Sequence, residues 1–424
     1  KETFFRSPAM NEAIATTVQA SSWTQLSYFK VFVHNDSHLQ HSRYPLLNNG
    51  NQQVLVTVRL AAQDARGNYV SVSAADLNSI RLIDYGTSET IYFGSELQPW
   101  STSQTDMGFI WDQSFLDSIR SLRLEQPELF EQVDRDPGAF EQALTINDGA
   151  QEVLPALPSA PVELQDDCPN GYQCFRFYLR TTSTIKRRFA ARITNSDNTV
   201  FRSNYAEVTD DNGEGDGRGK FNSSFEIDPI SFPRLPSESY GDRLANGYLK
   251  DTPIGDGVFT GKYRAFEHHI NIRMPGGRAV PIKTIPNFDD STGVVWGNAG
   301  SGRSKLTITY IGLPGSNTTR YTYAPYYMQI NKYGLGMLAV REWMNFTGRG
   351  MGLEGKIKYP RSGELVVGQV LCEENFWFYT NVTASKEVLK QTTKDITVVD
   401  IYGTLHDLRI GLIPEYNYLT LERR

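Results

Sequence analysis

The sequence predicts a mainly β protein that consists of two β-sandwich regions with a short α-helical insertion. The first observation is the alternation of apolar and polar residues in short runs, as at Phe175, Phe177 and Leu179, which is typical of strands with one buried face. The second is that turn-forming clusters separate such runs about every 8–12 residues, which is typical of sandwiches. The third is that helical periodicity is strong only within residues 112–145.

Composition limits the classes of partner. The 424 residues include 42 basic and 48 acidic side chains, which gives a net charge of −6. This length suits roughly two to three domains with sizeable cores. Because phosphate binding needs clustered Lys and Arg, the balance predicts no nucleic-acid partner. There is no run of about 18 apolar residues, so we expect no transmembrane segment.

Residues 1–22 are predicted to form an N-terminal arm. A short helix over residues 8–19 would place Met10, Ile14 and Val18 on one stripe. A helix this short is marginal alone, so it either packs on something, such as a neighbouring subunit, or frays.

The first sandwich region is predicted to span residues 23–208. Val54, Val56, Val58 and Leu60 alternate in one of its clearest strands. Its helical insertion, 112–145, is predicted as two or three short helices, the first of which has apolar residues at positions 115, 116, 119 and 122.

Residues 209–240 are rich in Gly, Asp and Pro and are predicted to be a linker. The second sandwich-like region then spans residues 241–424, where nearly every candidate element is a strand. Residues 395–412 predict a closing hairpin that turns at Gly403 and Thr404.

Three stretches carry a resemblance to a known family. NNGNQQVLVTVRL, GNYVSVS and FRFYLRTTSTIKRRFAARITNSDNTVF resemble strand pairs of bacterial immunoglobulin-like β-sandwich proteins, over about the first 210 residues. The Cys–Trp–Cys core of antibody-type domains is missing. The resemblance implies immunoglobulin-like sandwiches of the kind found in adhesins, tail fibres and surface filaments. It favours an extracellular place, or one in a secreted or viral assembly, and leaves the compartment open.

Two of the three cysteines flank a tight loop. Cys168 and Cys174 enclose the sequence PNGYQ, so they either form a short disulfide in an oxidising compartment or remain as two free thiols. The third, Cys372, lies in an apolar run and is predicted to be a small core residue.

One acidic loop is a candidate calcium site. Oxygen-bearing side chains alternate with small residues at Asp210, Asn212, Glu214 and Asp216, and such hard ligands suit Ca²⁺. The EF-hand frame is absent, because no Glu follows at its last position. A flexible acidic linker explains the same residues, and no other cofactor is predicted.

Tyrosines in the second half are candidates for binding. Tyr321 and Tyr323 would share one face of a strand, where a tyrosine ladder stacks on sugar rings or fills a protein interface. The alternative is ordinary cross-strand packing within the β core.

No catalytic signature stands out, so the sequence predicts a non-enzymatic structural or binding protein. It would assemble with itself into a fibre, filament or particle, or attach to a surface through another protein or a glycan. One alternative is a secreted, β-rich toxin or pore-forming protein, whose inserting hairpins would come from residues 305–330. The other is a carbohydrate-active enzyme that uses carboxylates among Glu267, Glu342, Glu373 and Glu374.

Overall fold

The computed structural model confirms a mainly β protein with a short helical part. It describes residues 23–34, 42–131, 168–204, 221–250, 262–286, 288, 294–298, 305–315, 318–322, 344–346, 352–356, 361–373, 393–413 and 418–423. The predicted arm and residues 132–145 of the predicted insertion lie outside these ranges.

The elements of the first part of the chain are β1 (Gln25–Val33), β2 (Arg43–Leu47), β3 (Val54–Gln63), β4 (Tyr69–Val70), α1 (Ala74–Leu77), β5 (Arg81–Asp84), β6 (Tyr92–Phe93), β7 (Trp100–Ser103), α2 (Gln113–Glu125), β8 (Gln173–Thr181), β9 (Arg187–Thr194), β10 (Val200–Arg202) and β11 (Phe225–Ile230). Those of the second part are β12 (Tyr240–Lys250), β13 (Lys262–Arg273), β14 (Ala279–Val280), β15 (Ile282–Thr284), β16 (Val294–Asn298), β17 (Lys305–Gly312), β18 (Thr318–Thr322), β19 (Met344–Phe346), β20 (Gly352–Lys356), β21 (Leu365–Glu373), β22 (Thr393–Asp400), β23 (Leu405–Ile413) and β24 (Tyr418–Arg423).

Two sheets form the first sandwich. Sheet 1 has the order β1-β3-β8-β7-β6, with β4 also on β3, and sheet 2 has the order β10-β9-β11-β2, with β5 also on β9. Alternate residues of both sheets meet in one core, where Val56 and Phe177 of sheet 1 join Phe189 and Ile227 of sheet 2. Within each strand, the residues that alternate with these core residues therefore point to the outer face of its sheet.

A second pair of sheets surrounds the other core. Sheet 3 has the order β12-β13-β21-β17-β16, with β14 on β13, and sheet 4 has the order β15-β22-β23-β24. Ile270 and Val367 of sheet 3 share this core with Val398 and Ile410 of sheet 4. Strands β18, β20 and β19 form a separate three-stranded sheet.

Helix α2 lies in the first half of the sequence but packs into the second core. Asp112 caps its N-terminus, since the carboxylate accepts a hydrogen bond of 3.1 Å from the backbone N–H of Phe115. The predicted apolar stripe is buried as expected, and it belongs to the core of sheets 3 and 4. The sequence places this insertion within the first sandwich, because it lies between strands of that region in the chain. Sequence order does not show which core an apolar stripe faces.

A polar junction joins the two sandwiches. The side-chain amides of Asn49 and Asn51 donate to the backbone oxygens of Tyr402 and Gly403, at 3.0 and 2.8 Å. The amide of Gln52 donates to the backbone oxygen of Ile110 at 2.8 Å. Because these buried amides are hydrogen-bonded across the boundary, the two sandwiches form a continuous packed unit.

Part of the predicted linker is structured. Phe225 and Ile227 of β11 pack in the first core, whereas Ile230, Phe232 and Leu235 pack in the second. Prolines made this stretch resemble a linker, but Pro229 is accommodated in β11, which runs parallel to β2. The chain thus passes from one core to the next with no free segment over residues 225–235. In the described ranges, no helix is long and apolar enough to cross a membrane.

Candidate functional site

The outer face of sheet 1 has a group of tyrosines near one end, Tyr28, Tyr69 and Tyr172, here called the tyrosine face. Tyr28 of β1 lies opposite Ala61 of β3, and Tyr172 immediately precedes β8 on the other side of β3. Their ring centroids are 4.6 Å apart, with the planes tilted by 56°. The small side chain of Ala61 leaves room for two rings from the flanking strands to meet above β3.

A β-bulge directs Tyr28 outward. The register of β1 and β3 shifts between Leu26 and Tyr28, so Leu26 and Phe29 both enter the core although they are three residues apart. The hydroxyl of Ser27, at the bulge, donates to the backbone oxygen of Ala61 at 3.2 Å. The bulge thereby fixes Tyr28 beside Ala61.

A closed loop holds Tyr172. Cys168 and Cys174 are joined by a disulfide that encloses it, and the backbone N–H of Tyr172 donates to the oxygen of Pro169 at 3.1 Å. The next side chain, Gln173, donates to the oxygen of Val72 and accepts from its N–H, at 3.1 and 2.6 Å. Tyr172 is 38% exposed on this restrained loop.

Tyr69 of β4 extends the face along β3. It lies opposite Gln63 in β4, and its neighbour Val70 packs against the first core, so Tyr69 points outward. It is 71% exposed, well above ordinary aromatic residues in a core-forming sheet. The preceding turn is fixed by Asp64, whose carboxylate accepts from the N–H groups of Arg66 and Asn68 at 2.8 and 2.9 Å.

Two cationic side chains, Lys30 and Arg59, lie close to Tyr28. The Nζ atom of Lys30 lies 5.5 Å from the ring centroid of Tyr28, within the range of a cation–π contact. Burial, and then Tyr172, raise the pKa of Tyr28 above its ordinary value, against a smaller lowering effect of Arg59. The hydroxyl of Tyr28 therefore stays protonated at neutral pH and both donates and accepts hydrogen bonds.

Most of the binding and calcium residues that the sequence predicts lie outside the described residues. Tyr321 lies in β18 opposite Leu353, whereas Tyr323 lies outside the described residues. The candidate calcium ligands Asp210, Asn212, Glu214 and Asp216 also lie outside them. The described ranges contain no group of three or more His, Cys, Asp or Glu side chains suited to a metal ion.

The two adjacent histidines of β13 pair with carboxylates other than those of the enzyme alternative. His268 pairs with Asp242 at 2.9 Å, and its neighbour His269 pairs with Glu364 at 3.2 Å. Adjacent residues of β13 face opposite sides of sheet 3, so these two pairs are separated by the sheet. Glu267 is buried in β13 and Glu373 ends β21, while Glu342 and Glu374 lie outside the described residues.

Sequence reasoning missed the tyrosine face because three separate segments supply it. Alternation in SYFKVFV gives no sign of the bulge that turns Tyr28 outward. One available signal was a tyrosine inside the short loop between Cys168 and Cys174, where an enclosed aromatic residue has few routes to a core.

The fold and the site define a mainly β, sandwich-like class of protein with a short helix and an exposed aromatic face. No protein-family model and no curated protein sequence matches the chain. Among solved structures, the chain is similar to the C-terminal domain of the Streptococcus pyogenes antigen I/II-family protein AspA, with 8% identity, 93% of this chain and 97% of that chain covered, and a TM-score of 0.17. It is also similar to the Streptococcus agalactiae AgI/II polypeptide BspA C-terminal domain, with 8% identity, coverage of 93% and 98%, and a TM-score of 0.15. TM-scores this low do not establish a common fold, so the class rests on the sheets described above.

Proposed function

We propose that this is a non-enzymatic binding protein that attaches to a surface by docking a partner protein on the tyrosine face. The observation that supports this proposal is the meeting of Tyr28 and Tyr172 at 4.6 Å beside Tyr69, which is 71% exposed. Tyrosine is enriched in the energetic centres of protein interfaces, because it buries a large area and loses little side-chain freedom.

The ring geometry favours a protein over a sugar as the partner. The 56° tilt between Tyr28 and Tyr172 makes a ridge of ring edges and hydroxyls. A sugar ring instead needs a flat, open aromatic face, and the ridge offers none between these two rings. A protein pocket accepts such a ridge, with Lys30 at its border to pair with an acidic rim.

The base of the site is rigid, which favours an attachment role. The Cys168–Cys174 bond and the Gln173 amide contacts hold one tyrosine, and the β-bulge holds another. A preorganised surface loses less conformational entropy on binding. The disulfide also supports an extracellular location, because such bonds persist in oxidising compartments.

Binding to immobilised collagen, fibrinogen and fibronectin, measured by biolayer interferometry, tests the proposal, and sedimentation velocity tests a second copy of the chain as the partner. We expect Tyr69→Ala and Tyr172→Ala each to weaken the contact about tenfold. Ile185→Ala is the matched control, since Ile185 is 73% exposed on the β8–β9 turn, away from the tyrosine face.

Equal binding by wild type and both tyrosine variants would remove the tyrosine face from the function. A glycan array run beside the protein panel separates the two classes of ligand. Glycan binding lost in the tyrosine variants, with no protein bound, would overturn the choice of partner. Release of reducing sugar from a bound glycan would replace attachment with the carbohydrate-active alternative.

A further inference from the structure

A buried arginine and a buried serine lie side by side on the outer face of sheet 1. Arg180 of β8 is directly opposite Ser101 of β7 in the register of the two strands. Their chain neighbours Leu179 and Trp100 enter the first core, so Arg180 and Ser101 point away from it. Arg180 is nevertheless only 8% exposed and Ser101 0%. We call this pair, with the side chain of Met107 beside it, the Arg180 site.

Neutral groups surround the guanidinium of Arg180. Its Nη1 atom lies 3.5 Å from the backbone oxygen of Gly50 and 3.4 Å from the sulfur of Met107, and its Nη2 atom donates to the backbone oxygen of Ser95. A thioether sulfur is only a weak acceptor for such a donor. Burial lowers the pKa of Arg180, because these surroundings solvate the cation less well than water does.

The acids of the two adjoining loops do not pair with Arg180. The carboxylate of Asp106 accepts a hydrogen bond of 2.7 Å from a backbone N–H of its own loop, and Glu96 is exposed. Within the described part of the chain, neither forms an ion pair with Arg180. In sheet 2, by comparison, Arg187 pairs with Asp84 at 2.7 Å. A buried cation without such a partner is costly, so a carboxylate supplied from outside would stabilise it.

The hydroxyl of Ser101 is an independent sign of a ligand at the same place. Its Oγ atom is buried and has no hydrogen-bond partner among the described residues. Buried hydroxyls are nearly always hydrogen-bonded, because an unsatisfied one costs free energy. A carboxylate would accept from this hydroxyl through one oxygen and from the neighbouring guanidinium of Arg180 through the other.

Met107 is the part of the site that a ligand can replace. Its residue is 37% exposed, in the loop 104–110. The backbone of this loop is held without the methionine side chain, since the Met107 N–H donates to the side-chain oxygen of Gln53 at 2.6 Å. Its backbone oxygen accepts from Nζ of Lys283 at 3.2 Å. Because methionine is unbranched and flexible, its sulfur can leave the guanidinium while the loop stays in place.

We propose that Arg180 and Ser101 bind a single carboxylate group, which takes the place of the Met107 sulfur against the guanidinium. One guanidinium and one hydroxyl balance one negative charge, whereas a dianion such as sulfate or phosphate would leave excess charge buried. The planar guanidinium also matches a planar carboxylate through paired hydrogen bonds. Arg180 lies roughly 27 Å along β8 from Tyr172, so the site does not depend on the tyrosine face.

Urea unfolding of the full chain in sodium acetate, with chloride replacing acetate at constant ionic strength, tests the site. A ligand that binds only the folded state raises the urea midpoint. We expect Arg180→Gln to weaken acetate binding about tenfold and Ser101→Ala to weaken it about threefold. Met107→Ala removes the competing contact and should strengthen acetate binding about threefold. Arg66→Gln is the control, because it removes the same charge from an exposed turn and should respond to acetate within about twofold of wild type.

Ser101→Ala and Met107→Ala keep the test decisive if Arg180→Gln does not fold, since neither removes a charge. Because Ser101→Ala deletes a hydroxyl without a partner, its urea midpoint in chloride should equal or exceed that of wild type. Equal acetate responses in wild type, Ser101→Ala and Met107→Ala would overturn the site.

Two further probes identify the source of the carboxylate. A capped Ala-Glu-Ala peptide that binds at least about tenfold more tightly than acetate, and is weakened by Ser101→Ala, would assign the carboxylate to a peptide. Equal binding of the peptide and acetate, with the same loss in Ser101→Ala, would assign it to a free small acid. Inorganic sulfate that binds as tightly as acetate would overturn the choice of a carboxylate.

Discussion

The ring of Phe115 in helix α2 stacks on the ring of Tyr402 in the β22–β23 turn, with centroids 3.7 Å apart and planes within 7°. Both rings are buried, and the guanidinium of Arg278 lies 5.0 Å from the ring centroid of Phe115. This stack ties a helix encoded in the first half of the chain to the second sandwich. It adjoins the polar junction, where Asn49 bonds to the backbone of the same Tyr402.

Phe115→Ala should therefore destabilise the second sandwich. Removal of a fully buried ring, with the cavity it leaves, is expected to lower the free energy of unfolding by about 3–5 kcal/mol. Leu124→Ala on the same helix is the control, since Leu124 is 87% exposed and its loss should change stability by less than about 0.5 kcal/mol. Urea unfolding monitored by fluorescence compares the two, and equal effects would contradict the described orientation of the helix.

Gly403→Ala should weaken the junction. Gly403 has a φ of +85°, and an added Cβ would lie 2.6 Å from the Cβ of Asn51. Gly67 has a nearly equal φ of +83° with nothing within 4 Å of such a Cβ, so Gly67→Ala isolates the backbone strain. We expect Gly403→Ala to cost about 1–3 kcal/mol more than Gly67→Ala in thermal or urea unfolding. Equal costs would show that the two sandwiches do not meet closely at Asn51.

The strands and the helix were predictable from sequence wherever one face of an element is buried. Alternation identified β3, β8 and the β22–β23 hairpin, and the helical stripe identified α2. Strand β2 was missed because its five residues were grouped with the polar cluster around them. Its pairing with β11 joins segments about 180 residues apart, and no local pattern encodes such a partner.

The polar junction was hidden from sequence reasoning for a different reason. NNGNQQ is a run of amides and glycine, which normally indicates an exposed turn, yet Gln52 is fully buried. Its side-chain oxygen accepts from the N–H of Leu47 at 2.9 Å, and its amide donates to Ile110. Buried polar residues of this kind are stable only because distant backbone groups satisfy them, and sequence does not show those groups.

Alkaline pH should destabilise the second sandwich through Tyr240. Nε2 of His406 lies 3.0 Å from the carboxylate of Asp400, and its Nδ1 atom is hydrogen-bonded to the Tyr240 hydroxyl at 3.2 Å. Burial, with Asp400 and Asp407 acting against Arg423, raises the pKa of Tyr240 to about 12. The unfolded chain ionises near the ordinary value of about 10. The folded state therefore holds the proton more tightly, and the stability this provides is present below pH ~10 and lost as pH rises toward ~12.

The loss of unfolding free energy attributable to Tyr240 is on the order of 3 kcal/mol across this window. Tyr240→Phe removes the ionising group, so its stability should fall less steeply than that of wild type between about pH 10 and 12. Urea unfolding at a series of pH values measures both curves. Parallel curves would mean that the Tyr240 hydroxyl is not protected by the fold.

Loss of the Cys168–Cys174 bond should affect both stability and the tyrosine face. The bond closes a short loop, with a sequence separation of 6, so chain entropy predicts that the Cys168→Ser/Cys174→Ser variant loses about 2 kcal/mol of unfolding free energy. Dithiothreitol should lower the unfolding free energy of wild type to that of this variant and leave the unfolding free energy of the variant unchanged.

The same variant should also change partner binding. Because Gln173 still bonds to Val72 without the bridge, β8 keeps its register while the loop that holds Tyr172 loosens. Partner binding should then weaken, but by less than in Tyr172→Ala. Unchanged binding would show that loop closure does not position Tyr172.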